Sequence, residues 1–178
     1  MKIMKKTYVL IIGIFIIFSI NSEAKDNYLE IYKEKAKLYK IDYKTLRAIA
    51  EVESDNIPYV INVNKKEKKY EGSHVFKTVK EADEYMDKVL EKNKLNYDIG
   101  ICQINSWWLK RLKLKNEDLL NPTKNIEISA RILKHNLYIC NNNLECALSV
   151  YNTGKKDSKV GNLYAKKVLK ARKRIFND

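Results

Sequence analysis

A mainly α-helical single domain with one small extended element is the fold class this sequence predicts. Three observations predict it. Apolar residues recur at three- and four-residue spacing through most of the chain beyond residue 25, cap-forming residues stand in front of several of these stripes, and one short β-branched run falls near residues 59–64. No internal repeat, linker or low-complexity segment interrupts the pattern, so one domain over residues 25–178 is expected, with a hairpin-like element near 59–77.

Residues 1–24 are set apart from that domain. Met1-Lys2-Ile3-Met4-Lys5-Lys6 precedes an uncharged run from Tyr8 to Ile20, and Ser22-x-Ala24 supplies small residues before the charged Lys25-Asp26. The run is shorter than the ~20 residues a spanning helix needs, which is the layout of a secretory signal peptide, with an uncleaved N-terminal anchor as the rival. Either way the remainder is expected to be exported, with no stable membrane span once the leader is removed.

From Asn27 to Tyr39, Leu29, Tyr32, Ala36 and Tyr39 mark an amphipathic helix. Asp42 suits the N-cap of a second helix that runs through Leu46 to Glu53 and ends before Pro58. Tyr59 to Asn64 reads as a strand, paired with Ser73 to Lys77 across a turn at Glu71-Gly72, and the intervening Lys65 to Lys69 as a solvated tip. Thr78-Val79-Lys80-Glu81 is a capping box that opens a helix to about Glu91. Asn96 to Gly100 breaks the pattern, and Asn105 or Ser106 can cap a helix through Trp107, Leu109 and Leu112. Pro122 starts a helix carrying Ile126, Ala130, Leu133, Leu137 and Cys140, expected to be the long central one. Asn143 caps another, with Leu144, Ala147, Leu148 and Tyr151 on one stripe and Gly154 just past its end. Tyr164, Val168, Ala171 and Ile175 mark a last helix whose basic outer face reads as solvated.

The chain carries 35 Lys and Arg against 22 Asp and Glu, a formal +13. Removing the leader takes away three lysines and one glutamate and leaves the balance strongly basic. Such a charge favours an anionic partner: wall polymer, membrane surface or nucleic acid. No basic run is interleaved with aromatic platforms that stack bases, so nucleic acid is not expected. Cys102, Cys140 and Cys146 form no CxxC pair, and His74 and His135 stand far apart, so no metal site is expected. Export permits a disulfide, for which Cys140 and Cys146, bracketing Asn141-Asn142-Asn143, are the candidates. Cys102 reads as a small buried hydrophobe.

Within the second helix, Leu46, Ile49, Ala50 and Glu53 fall at i, i+3, i+4 and i+7, which sets Glu53 roughly 20° from Leu46 on the helix wheel. Glu51 lies about 140° away and is expected to face water. A carboxyl held against apolar side chains loses hydration in its charged form, so its pKa rises toward neutrality and it can act as a general acid. The bland alternative is that Glu53 is the edge of the stripe, with its carboxylate reaching solvent.

Four segments are more particular than periodicity explains: Glu53-Ser54 with Pro58 downstream, Asp98-Ile99-Gly100-Ile101-Cys102-Gln103-Ile104-Asn105, Asn121-Pro122, and Ala147-Leu148-Ser149-Val150-Tyr151-Asn152-Thr153-Gly154. In this order and spacing, over roughly Ile41 to Val168, they resemble the lytic transglycosylases that cut bacterial peptidoglycan and share the lysozyme-like fold. The Tyr59-to-Asn64 segment, the Lys-rich tip and Asp98 before Gly100 are most similar to specialised members that serve secretion and conjugation machines.

The resemblance implies a single catalytic acid, Glu53, with Ser54, Gln103, Tyr151 and Asn152 as substrate-binding residues and the Tyr151 hydroxyl near the Glu53 carboxyl. It implies peptidoglycan glycan strands as substrate, components of a secretion or conjugation complex as partners, a periplasmic location and no cofactor. Asn56-Ile57, where an aromatic followed by Asn is common, and Cys102, where Met is usual, depart from the pattern without touching those positions. Two other readings stand beside it. Asp55 or Asp98 would serve a two-carboxylate muramidase, and an inactive copy of the fold would be a peptidoglycan-binding assembly factor.

Overall fold

The computed structural model describes residues 28–64 and 70–177. The predicted leader and the polar tip at 65–69 lie outside the described residues. Contacts gather Ile31–Asp178 into one compact unit, and of the other, Met1–Glu30, only Tyr28 to Glu30 are described.

Helix α1 spans Leu29–Tyr39 and α2 spans Tyr43–Ser54. Asp42 caps α2 by accepting the N–H groups of Lys44 and Thr45, and Asp55 ends it in a left-handed conformation. Strands β1 (Val60–Val63) and β2 (Gly72–Val75) pair antiparallel with Ile61 opposite His74, so Gly72 begins a strand and is not the turn. Helix α3, Val79–Tyr85, is capped by the Thr78 hydroxyl, while the Glu81 carboxylate takes the N–H of Lys77 in place of that of Thr78. The predicted helix does reach Glu91, but its last six residues, Met86–Glu91, are π-helical.

The sheet is larger than the expected hairpin. Strands β3 (Tyr97–Ile99) and β4 (Ile104–Asn105) extend it to the antiparallel order β2-β1-β3-β4. At three and two residues they are too short to show an alternation in sequence. Helix α4, Trp107–Leu112, follows as predicted, and α5, Asn116–Leu120, was not expected. Helices α6 (Pro122–Ile139), α7 (Leu144–Thr153) and α8 (Lys159–Phe176) complete the fold, capped by Asn121, Asn143 and Ser158. Cys140 and Cys146 are joined by a disulfide between α6 and α7, and Cys102 is free and buried.

The long α6 packs against α2, α5, α7 and β4, and α2 is the more completely enclosed of the two. Ala48, Ile49, Leu133, Ala147, Leu148 and Val168 form one buried cluster from α2, α6, α7 and α8. Ala48 and Ala50 are both fully buried, so α2 is enclosed on more than the one face its stripe declares. Glu51 shows the consequence. Expected in water, its side chain is 6% exposed and accepts from Arg47 (3.0 Å), Arg174 of α8 (2.7 Å) and Asn56 (3.0 Å). A buried carboxylate persists only when paired in this way.

Candidate active site

A cleft of about 690 Å³ lies where α2, α6 and α7 face the sheet and α4. Glu53 reaches it because α2 ends immediately afterwards. Ser54, read as substrate-binding, turns inward: its hydroxyl donates to the carbonyls of Ala50 (3.2 Å) and Ile101 (2.8 Å) and pins the helix end to the β3–β4 turn. Gln103, Tyr151 and Asn152 all line the cleft with Glu53.

Glu53 keeps part of its side chain open to the cleft, yet its carboxyl is desolvated. Burial pushes its pKa from the ordinary 4.5 to about 7; a hydrogen bond from Tyr164 opposes the rise, and the nearby Asp98 charge adds to it. The Tyr164 hydroxyl donates to Glu53 Oε1 at 2.5 Å. Burial, and then the Glu53 charge, hold the Tyr164 phenol well above its usual pKa, so it acts as a donor.

In sequence Tyr164 does no more than mark the apolar stripe of the last helix. The signal was its hydroxyl: a tyrosine on a buried stripe needs a polar partner, and no nearby residue of its own helix supplies one. The Tyr151 hydroxyl, expected near Glu53, lies close enough to feel its charge but hydrogen-bonds elsewhere. It donates to the Cys102 carbonyl (3.0 Å), so the Ser129 hydroxyl must donate to it (2.9 Å). Its ring lies parallel to that of Tyr164, with centroids 6.4 Å apart, and so braces the residue that does reach Glu53.

Asp98, on β3, is the second carboxyl of the cleft. The amides of Asn64 (3.0 Å) and Asn105 (2.8 Å) donate to it, but burial outweighs them and its pKa is raised. Gln103 sits at φ 48° with its amide nitrogen on the carbonyls of Val60 (3.1 Å) and Gly100 (2.9 Å). Both N–H bonds are thereby used, which leaves its carbonyl oxygen as the acceptor a ligand can meet.

Behind the cleft, Asn125 of α6 is fully buried and holds the turn from both sides: its oxygen accepts the Cys102 N–H (2.9 Å), and its nitrogen donates to the carbonyls of Ile99 and Leu119 (2.8 Å each). Sequence reasoning missed it. Asn125, Ser129, Ile132 and Asn136 form a second, partly polar stripe on α6 at helical spacing, and that pattern was there to be read.

Among the described residues, no group of His, Cys, Asp and Glu is placed to hold a metal, and no helix is long and apolar enough to cross a membrane. What the cleft offers is one carboxyl that is protonated up to about pH 7, a second whose charge bears on it, and amides for polar ligands. A family model described as transglycosylase SLT domain matches residues 30–173. No curated protein and no solved structure matches the chain.

Proposed function

Since the chain belongs to the transglycosylase SLT domain family, we propose that it is a peptidoglycan lytic transglycosylase that uses Glu53 first as acid and then as base. The observation that carries this reading is the Glu53 carboxyl, desolvated at the cleft with a pKa near 7 and gripped by Tyr164. A group titrating there is protonated often enough to give a proton and acidic enough to take one back.

In the forward step, protonated Glu53 gives its proton to the glycosidic oxygen between N-acetylmuramic acid and N-acetylglucosamine, and the C1–O bond breaks. The 2-acetamido oxygen of the muramyl residue meets the positive charge at C1. Glu53, now a carboxylate, removes the proton of the C6 hydroxyl as that oxygen bonds to C1, and a 1,6-anhydromuramyl end results. No water is consumed. Tyr164 holds the carboxyl in place through both steps, and Gln103 and Asn152 offer amides to the sugars. With a leader at residues 1–24, the enzyme would work in the periplasm, opening the wall locally for a secretion or conjugation apparatus.

Asp98 supports a second reading. It lies in the same cleft and its charge bears on Glu53, so the pair could instead activate water as a muramidase does. Digestion of purified sacculi followed by mass spectrometry separates the two: anhydro ends are lighter than reducing ends by one water. Anhydro ends throughout, with Asp98→Asn retaining them, are expected; reducing ends that vanish in Asp98→Asn would replace the transglycosylase reading by the hydrolytic one.

Tyr164→Phe should move the pH profile. The hydroxyl lowers the Glu53 pKa by stabilising the carboxylate, so its loss raises that pKa further. Cleavage needs the protonated acid, and the alkaline limb of kcat/KM should shift upward by about one unit, as one charged hydrogen bond allows. An unmoved limb would show that Tyr164 only packs the core.

A further inference from the structure

A second groove, of about 1020 Å³, adjoins the cleft, and Asn105 and Trp107 line both cavities as the wall between them. Asn105 donates to Asp98 on the cleft side (2.8 Å) and to Asn96 on the groove side (2.7 Å), while its oxygen takes the Trp107 N–H (3.0 Å). The wall is therefore fixed. Trp107 is 55% exposed, packed edge-on against Trp108 and with Arg111 over its ring.

Two similar turns build the groove. Lys94 and Lys113 take left-handed conformations, φ 54° and 53°, each just past a helical segment. The following residue closes each turn, Leu95 N–H to Leu90 O at 3.0 Å and Leu114 N–H to Leu109 O at 2.8 Å. This helix-ending motif folds the following apolar side chain back toward its helix. Leu95 and Leu114 thus join the half-buried lining, and Lys94 and Lys113 stay exposed at the rim with Lys110. None of these three lysines has an ion-pair partner among the described residues, whereas Lys115, also on the lining, pairs with Glu117 at 3.4 Å. The carboxylate on the lining is Glu91, which accepts from the Asn116 amide (2.7 Å), as does the neighbouring Asp87 (3.3 Å).

We propose that this groove is a subsite for the peptide that wall glycan carries, its lysines pairing with the free carboxylates of the peptide and Glu91 with an ammonium. The proposal rests on the reading of the chain as a peptidoglycan enzyme. Peptide-substituted glycan has a neutral sugar backbone and a charged branch, and the two adjoining cavities divide in the same way. The cleft offers amides and carboxyls, and the groove offers cations. The shared wall at Trp107 lets one polymer occupy both.

The test compares the Lys94→Ala/Lys110→Ala/Lys113→Ala variant with the parent on wall glycan bearing its peptides and on the same glycan stripped by an amidase. Three partly exposed ion pairs predict a fall in kcat/KM of about five- to tenfold on the intact glycan, mainly through KM, with no more than about a twofold change on the stripped one. Equal losses on both substrates, or none on either, would overturn the subsite. Titration of the full chain with free wall tetrapeptide keeps the outcomes apart, because it needs no cleavage. Binding weakened by the triple variant supports the groove even if the enzyme reading fails, and undiminished binding removes it even if cleavage is strong.

Discussion

Glu53→Gln should lower cleavage of sacculi at least about a thousandfold and at the same time make the protein more resistant to unfolding at alkaline pH. The first effect follows from the chemistry: a positioned acid or base contributes roughly 10²- to 10⁴-fold, and in the proposed mechanism one carboxyl fills both roles. Glutamine keeps the shape and still offers Tyr164 an oxygen, but it can neither give nor take the proton. The second effect follows from linkage. The folded pKa of about 7 lies above the ordinary 4.5, so below about pH 4.5 the group is protonated in both states and costs nothing. As pH rises through 7, the folded protein must either hold a buried charge or keep a proton that the unfolded chain has released, and stability falls. Glutamine removes that dependence. At pH 8 the gain should be about 1–2 kcal/mol, less than the full shift implies because part of the side chain is open to the cleft. Thermal melts across about pH 4–8 beside the digestion assay check both, with the two melting curves converging at the acid end. Residual activity above about 1% of the parent rate would remove Glu53 from the mechanism.

Much of this was legible in the chain because helices announce both their faces and their ends. The stripe Leu46, Ile49, Ala50 placed Glu53 at the border of the core, Asp42 and Asn143 cap the helices they were expected to cap, and Pro122 opens the helix it was expected to open. The same stripe misjudged Glu51, because a wheel shows which face is apolar but not how many neighbours cover the helix. Arg47 and Arg174 make the second covered face habitable for a carboxylate, and Arg174 lies 123 residues away. Tyr164 stayed hidden for a similar reason. Its hydroxyl and the Glu53 carboxyl meet across 111 residues, and nothing local to either residue names the other. The short strands β3 and β4 carry too few residues to alternate, so the sheet that holds Asp98 was readable only in part.

Gly100→Ala should cost about 4 kcal/mol or more, whereas Gly154→Ala should cost only about 1 kcal/mol, although both glycines sit at positive φ, 76° and 69°. The backbone penalty is common to the two. The difference is space. Around Gly154 a methyl group would meet nothing within 4 Å, but at Gly100 it would stand 2.5 Å from Asn125 Nδ2 and 2.6 Å from the Leu119 carbonyl. Neither neighbour can step aside cheaply. The carbonyl is backbone at the end of α5, and Asn125 is buried with its amide committed to Ile99, Leu119 and Cys102. Relief therefore means breaking buried hydrogen bonds, at about 1–3 kcal/mol each, on top of the overpacking. For a chain of this size that corresponds to a fall in Tm of roughly 8–16 °C. The damage should reach the cleft before the protein melts. The turn at Gly100 carries Gln103, gives the Ile101 carbonyl to Ser54 at the end of the Glu53 helix, and gives the Cys102 carbonyl to Tyr151 behind Tyr164. Cleavage measured well below the lowered Tm should therefore fall as well, while Gly154→Ala should keep most of its rate. Equal melting points for the two variants would show that the turn is not clamped as Asn125 implies.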